Sequence, residues 1–330
     1  MNTTVNSLIL DADGVFLSER PYWNTALATA LLRSNLTDKV NGSWDALATA
    51  AFAESALQRV TKRRGCNSNW DLAAVLSRAL GDVEVAARVA RRLEAGHLDR
   101  AVMALEEAAE NLATLDAVES PDPLRIFGID RGNDEFDSVV TDFQRVFDGG
   151  LDVGWTFPRE VLSETREAIV AAFETVIELG YELRVCTGRH RKETEMPIRR
   201  LGLDRYLVSE ALTTADEVDR AERLTGQGPL GKPHWFAPIC SVLGFDGAVG
   251  VLGGATVPTV AGCRVYVGDA AADFRAVLAA NELGAEMLYI HVRSGASSEE
   301  LKESISGSPL CLGVVDRLSE VPPLLETVQP

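Results

Sequence analysis

From Arg159 onward the sequence alternates between short apolar runs and helical patterns, and that alternation leaves few folds open. The pattern predicts a helix over Arg159 to Leu179, closed by Gly180, and a strand over Tyr181 to Cys186. A helix over Arg189 to Leu201 follows despite Pro197, then a short strand over Arg205 to Ser209 and a helix over Pro233 to Leu243. Gly244 to Gly262, rich in Gly and Val without a period, reads as a loop or small hairpin. Beyond it come a strand over Gly262 to Val267, a helix over Asp273 to Asn281 and a strand over Met287 to Val292. A last short strand at Val314 and Val315 and a helix over Leu318 to Leu325 close the chain. Strands alternating with helices build a parallel sheet covered on both faces. At the other end of the chain, Val5 to Leu10 (VNSLIL) is a largely apolar run that ends in Asp11-Ala12-Asp13-Gly14, as a buried parallel strand does.

The residues between have a different texture. Trp23 to Leu32, Ser43 to Val60, Trp70 to Leu80, Asp82 to Leu93 and Leu98 to Leu115 are Ala/Leu-rich, with apolar residues at helical spacing. Glu119 to Trp155 is rich in Pro, Gly, Asp and aromatics and reads as loops and short elements leading back to the main domain. The expected division is therefore 1–18 with 159–330 as one α/β core and 19–158 as an inserted, mostly helical segment. Trp23, Trp44 and Trp70 are expected to pack inside that segment, and His97 to be structural.

Charge and cysteine usage narrow the function classes. A net charge of −17 repels nucleic acid and anionic membrane, so neither is expected as a partner. No apolar run reaches the roughly 20 residues that span a bilayer. Met1 to Ser7 carries no basic residue, so no targeting peptide is expected. The five cysteines are scattered and never form a CxxC pair, which fits a reducing cytoplasm and argues against a disulfide framework or a zinc site.

Four places set polar residues directly after strand-like runs, where ligands bind in parallel α/β sheets. Asp11 and Asp13 could attack a phosphorus atom and handle a leaving-group proton, although an acidic turn would look the same. Thr187, Gly188 and Arg189 could seat an anion at a helix start, or supply a plain cap. Lys232, before Pro233, could neutralise a phosphate beside a carboxylate; it does not fit a Walker loop. Asp269 and Asp273 are hard oxygen ligands that suit Mg2+, or an ordinary N-cap and a first-turn charge.

In this order the four motifs resemble the haloacid dehalogenase-like (HAD) hydrolase superfamily, in a form with a large helical cap inserted after the first strand. The resemblance covers Leu8 to Leu17 and about Leu162 to Leu325, including Val314-Val315-Asp316-Arg317-Leu318. It implies a parallel Rossmann-like core, and Asp11 as a nucleophile that carries the phosphoryl group. Asp13 would protonate the leaving oxygen and then activate water. Thr187 and the Gly188 N–H would hold phosphate oxygens, and Lys232 would steady Asp11 and the phosphoryl group. Asp11, the Asp13 carbonyl and Asp269 would hold Mg2+, with Asp273 in support. The expected function is a cytoplasmic phosphatase acting on a small phosphorylated metabolite. A phosphomutase using the same residues is the alternative, and a catalytically inactive binding or scaffold protein a further one. A dehalogenase would leave Asp13 idle, a phosphonate hydrolase needs a lysine that Lys39 and Lys62 do not recognisably supply, and a receiver domain has no place for Asp269 and Asp273. Arg20 and Tyr22, near the expected hinge, and Arg189 and His190, in the basic run to Lys192, are candidate substrate contacts. The inserted segment is also large enough to serve as a homodimer surface. Ser18-Glu19-Arg20-Pro21 departs from the family's usual residues before the cap, and the interval from Lys232 to Asp269 is long.

Overall fold

The computed structural model describes residues 6–52, 57, 60–61, 68–113, 123–258, 262–293, 305 and 307–328. The chain divides into two compact units, Met1–Ser18 with Leu162–Pro330, and Glu19–Val161.

The first unit is a six-stranded sheet in the order β3-β2-β1-β4-β5-β6, with every pairing parallel. Its strands are β1 (Asn6–Leu10), β2 (Tyr181–Cys186), β3 (Leu212–Thr213), β4 (Arg264–Gly268), β5 (Met287–Val292) and β6 (Cys311–Val315). Leu10 pairs with Val185 on one side and Val267 on the other, so the ends of β2, β1 and β4 lie level with one another. Strand order reverses at β1, which is where parallel sheets open a crevice for ligands. One face packs Leu8, Leu10, Phe173, Val176 and Val265 in a single cluster. Ile9, Phe236, Ile239, Tyr266 and Tyr289 belong to a second cluster. Alternate residues of β1 and β4 thus enter different cores, as the pleat requires.

Five sequence-based expectations change here. The helix expected from Arg159 is α7 (Arg166–Glu178), because Thr165 caps it by accepting the Ala168 N–H at 3.3 Å. Arg205 to Ser209 is not a strand. Leu207 packs in the core, the Tyr206 hydroxyl sits 2.6 Å from Glu174, and the sheet edge is the two-residue β3. The helix expected over Pro233 to Leu243 starts later, as α10 (Phe236–Leu252), which leaves Lys232 in the loop ahead of it. Nor is Gly244 to Gly262 a loop throughout. Gly244, at φ 74° and ψ 173°, breaks α10, but the helix resumes and buries Ala248 and Val251. Among the described residues this unit also has α8 (Arg191–Arg200), α9 (Ala215–Thr225), α11 (Ala271–Glu282) and α12 (Pro322–Glu326).

The second unit is helical: α1 (Arg20–Arg33), α2 (Trp44–Ala51), α3 (Asn69–Leu80), α4 (Val83–Glu94), α5 (Leu98–Leu112) and α6 (Asp134–Phe147). Much of the expected helix Ser43 to Val60 beyond Ala51 lies outside the described residues. The fifth change is α6, which runs through a stretch read as loops. Asn133 caps it on the Phe136 N–H at 2.8 Å, and Phe136, Val139, Phe143 and Val146 form its buried stripe. Trp23 and Trp44 are buried in this unit's core and Trp70 packs against it.

Candidate active site

The first unit gathers its charge at the carboxyl ends of β1, β2 and β4. Asp11 follows β1, and its N–H donates to the Val267 carbonyl at 2.9 Å. Its Oδ1 accepts the Ala12 N–H at 2.8 Å and lies 3.1 Å from Lys232 Nζ. The same ammonium is 2.8 Å from Asp273 Oδ1. Ligand oxygens of Asp11, Asp269 and Asp273 all lie within 4.8 Å of one another. All three carboxylates are buried, and the lysine side chain is only 12% exposed.

Burial pushes the Asp11 carboxyl up to about 7, with Asp273 and Asp13 adding to the rise and Lys232 opposing it. Burial works against the Lys232 charge, but Asp11 and Asp273 outweigh it and hold the ammonium above its usual range. Three carboxylates against one ammonium leave an excess of negative charge in a desolvated place. Hard oxygen donors at this spacing fit a divalent cation such as Mg2+, and the excess charge would favour one.

Two glycines make the close packing feasible. Gly14 has φ +74°, and a Cβ built there would stand 2.2 Å from Asp269 Oδ2. A Cβ at Gly268 would stand 2.6 Å from the Asp273 Cβ. Gly14→Ala is therefore expected to displace Asp269 and to cost about 2–4 kcal/mol through backbone strain and overpacking. Chemical denaturation reads the stability loss, and titration with Mn2+ followed by electron paramagnetic resonance reads weakened cation binding. Gly188→Ala, at a position where an added Cβ meets nothing within 4 Å, is the control.

Thr187 follows β2 and is buried. Its N–H donates to the Thr213 carbonyl at 2.9 Å, and its Oγ1 accepts the Arg189 N–H at 3.2 Å. Gly188 is exposed between them. Arg189, His190 and Arg191 each pair within their own unit. Arg189 donates from Nε to Asp13 Oδ2 at 2.8 Å, and from Nη2 to Asp13 Oδ1. His190 Nδ1 is 2.9 Å from Asp216 Oδ1, a contact that raises the imidazole pKa. Arg191 pairs with Glu217 at 2.7 Å. Of the other expected substrate contacts, Arg20 opens α1 and is exposed, whereas Tyr22 is 7% exposed and stacked 4.7 Å from Phe147. The Tyr22 ring belongs to the core of its own unit.

Tyr266 is a site residue that the sequence reading passed over. Its hydroxyl lies 3.1 Å from the Cys186 carbonyl and 3.3 Å from Asp273 Oδ1, and Lys232 Nζ sits 5.5 Å from its ring centroid. A tyrosine two residues before Gly268 on an otherwise apolar strand was the available signal.

No protein-family model matches the chain, and no curated protein matches it. A crystal structure described only as a Northeast Structural Genomics Consortium target aligns with 98% of this chain and 99% of its own. The two share 19% identity and a TM-score of 0.64, a likeness of fold. A HAD-superfamily hydrolase of subfamily IA from Geobacter sulfurreducens aligns at 18% identity, 98% of each chain and a TM-score of 0.39. A hydrolase from Pseudomonas syringae aligns at 14% identity, 98% of this chain, 99% of its own and a TM-score of 0.40. TM-scores that low carry no weight for activity. The fold itself is a parallel, Rossmann-like α/β core with a mostly helical unit inserted after its first strand.

Proposed function

We propose that this chain is a Mg2+-dependent phosphatase that hydrolyses a phosphate monoester of a small metabolite through an aspartyl-phosphate on Asp11. The observation that supports it best is the single ammonium of Lys232 between Asp11 and Asp273, 3.1 and 2.8 Å away, beside a third carboxylate, Asp269. Phosphoryl transfer asks a protein for in-line positioning and charge neutralisation, and this group of residues brings together the charges that the second requires.

In the proposed reaction an Asp11 carboxylate oxygen forms a bond to phosphorus as the bond from phosphorus to the leaving oxygen breaks. Asp13 donates a proton to that oxygen. Water then attacks the phosphorus of the acyl phosphate, Asp13 takes its proton, and the bond between phosphorus and the Asp11 oxygen breaks to release phosphate. Thr187 Oγ1 and the Gly188 N–H would hold phosphate oxygens, while Lys232 would offset charge on Asp11 and the transferring group. Mg2+, held by Asp11, Asp269 and the Asp13 carbonyl with Asp273 in support, would neutralise the substrate dianion. The inserted unit would serve as the cap that excludes water and selects substrate. A cytoplasmic location, on the scattered cysteines, and the absence of nucleic-acid or membrane partners, on the net charge of −17, belong to the same reading. No helix among the described residues is long and apolar enough to cross a membrane.

The test is phosphate release from a panel of phosphorylated metabolites and aryl phosphates, with Mg2+ and after chelation. Release that needs Mg2+ and is lost in Asp11→Asn is expected. Release that survives chelation, or that survives the substitution, would overturn the proposal.

A further inference from the structure

We propose that Arg189 is a positioning residue for Asp13, aiming its carboxylate at the leaving oxygen; this rests on the phosphatase reading above. The guanidinium meets Asp13 as a fork, with Nε on Oδ2 at 2.8 Å and Nη2 on Oδ1. Its remaining nitrogen, Nη1, points to the Glu193 carbonyl at 3.4 Å. Every guanidinium nitrogen is thus directed at a group of this unit, and the side chain is 9% exposed against 22% for Asp13. A second anionic group on a substrate would have to displace that fork. The sequence offered Arg189 as a substrate contact; the geometry points instead to Asp13 as its ligand.

The pairing has a mechanical consequence. Asp13 sits in the turn after β1, where Gly14 N–H donates to the Leu17 carbonyl at 2.8 Å and Leu17 N–H to the Ala12 carbonyl at 2.8 Å. Those bonds fix the backbone and leave the carboxylate free to rotate about its own side-chain bonds. A planar two-point contact fixes both oxygens at once, which a point charge does not do. Arg189 is in turn tied to β2, since its N–H donates to Thr187 Oγ1 at 3.2 Å. The residue expected to seat phosphate and the residue expected to move the proton are therefore held by one short segment, Thr187-Gly188-Arg189. A misplacement of about 1 Å in such a group can cost on the order of 100-fold in rate.

The experiment is a leaving-group series on the full chain with Mg2+, from p-nitrophenyl phosphate to phenyl phosphate. A nitrophenolate leaves without help; a phenolate needs a proton. Arg189→Ala is expected to lower kcat/KM for phenyl phosphate about 100-fold, the usual scale of acid catalysis, and for p-nitrophenyl phosphate by no more than about 3-fold. The loss should fall on kcat, with KM little changed. Arg189→Lys should recover part of it. With Asp13→Asn already present, Arg189→Ala should change little further. Should Arg189→Ala fail to fold, Arg189→Gln gives the same comparison at nearly full side-chain size. Equal loss across the series, or a loss confined to KM, overturns the assignment. If the natural protein is active and Asp11→Asn inactive, such a result sinks the Arg189 inference alone. If the natural protein hydrolyses neither this series nor any phosphorylated metabolite of the panel, the phosphatase reading falls and this inference falls with it.

Discussion

Asp11→Asn is expected to abolish turnover and, in the metal-free protein, to raise stability. Loss of a covalent nucleophile costs on the order of 10^6-fold in kcat, which puts the variant below detection. The stability gain comes from the same residue. Its carboxyl is pushed from an ordinary 3.8 up to about 7 by burial first, then by Asp273 and Asp13, so ionising it is unfavourable in the folded chain. Asparagine keeps an oxygen for the Ala12 N–H, which Asp11 Oδ1 accepts at 2.8 Å, and leaves Lys232 paired with Asp273 at 2.8 Å. Removing the charge should add on the order of 1–3 kcal/mol. The pH dependence has a definite sign. Below about 4 the group is protonated in both states and contributes nothing. As pH rises from 3.8 toward 7 the unfolded chain gives up its proton first, so metal-free stability falls across that window and levels off above it. Asp11→Asn should remove that fall. Urea denaturation of both proteins at intervals from pH 4 to 8, in chelator, measures it. Saturating Mg2+ should narrow the gap at pH 8, because a cation bound only to the native state offsets the same repulsion.

The parts legible in the sequence were those that a one-dimensional pattern carries. Strand patterning is local: Tyr181–Cys186 alternates apolar residues with Glu182 and Arg184, Met287–Val292 is mostly apolar, and both occupy the residues that their patterns predict. Acidic and hydroxyl residues that follow such runs arrive at one end of the sheet by construction, so Asp11, Thr187 and Asp269 are grouped by topology alone. The harder features have physical reasons too. The stripe Phe136, Val139, Phe143 and Val146 has helical spacing, but the Gly- and Asp-rich residues around it hide the element. Gly244 stops a helix in a sequence reading, whereas in the fold the buried Ala248 and Val251 restart it. Strand β3 has only two residues, too few for any period to show. The basic run from Arg189 looks like a solvated helix face until folding brings Asp13, Asp216 and Glu217 against it. Those pairs depend on tertiary contact, and nothing in the spacing announces them.

Lys232→Met should shift stability the opposite way from Asp11→Asn, and by more. Methionine keeps most of the side-chain volume and removes the ammonium that stands 3.1 Å from Asp11 and 2.8 Å from Asp273. Two buried carboxylates then lose their counter-charge, and breaking a buried pair from one side costs about 3–5 kcal/mol. The loss should appear across the neutral range. The folded-state lysine is held above its ordinary 10.5, so its contribution is complete below that value and fades only as pH climbs beyond it. Activity should fall on the order of 10^2–10^3-fold, the scale of removing one charge-stabilising donor. Magnesium sharpens the expectation, since the variant should gain more from the ion than the natural protein does. Thermal denaturation with and without Mg2+ compares the two. Asp273→Asn added to Lys232→Met should restore part of the lost stability by removing a stranded charge, without restoring turnover. If Lys232→Met were as stable as the natural protein in chelator at pH 9, above the range in which Asp11 titrates, the three carboxylates would not be ionised together there. The charge excess that argues for a divalent cation would then not exist.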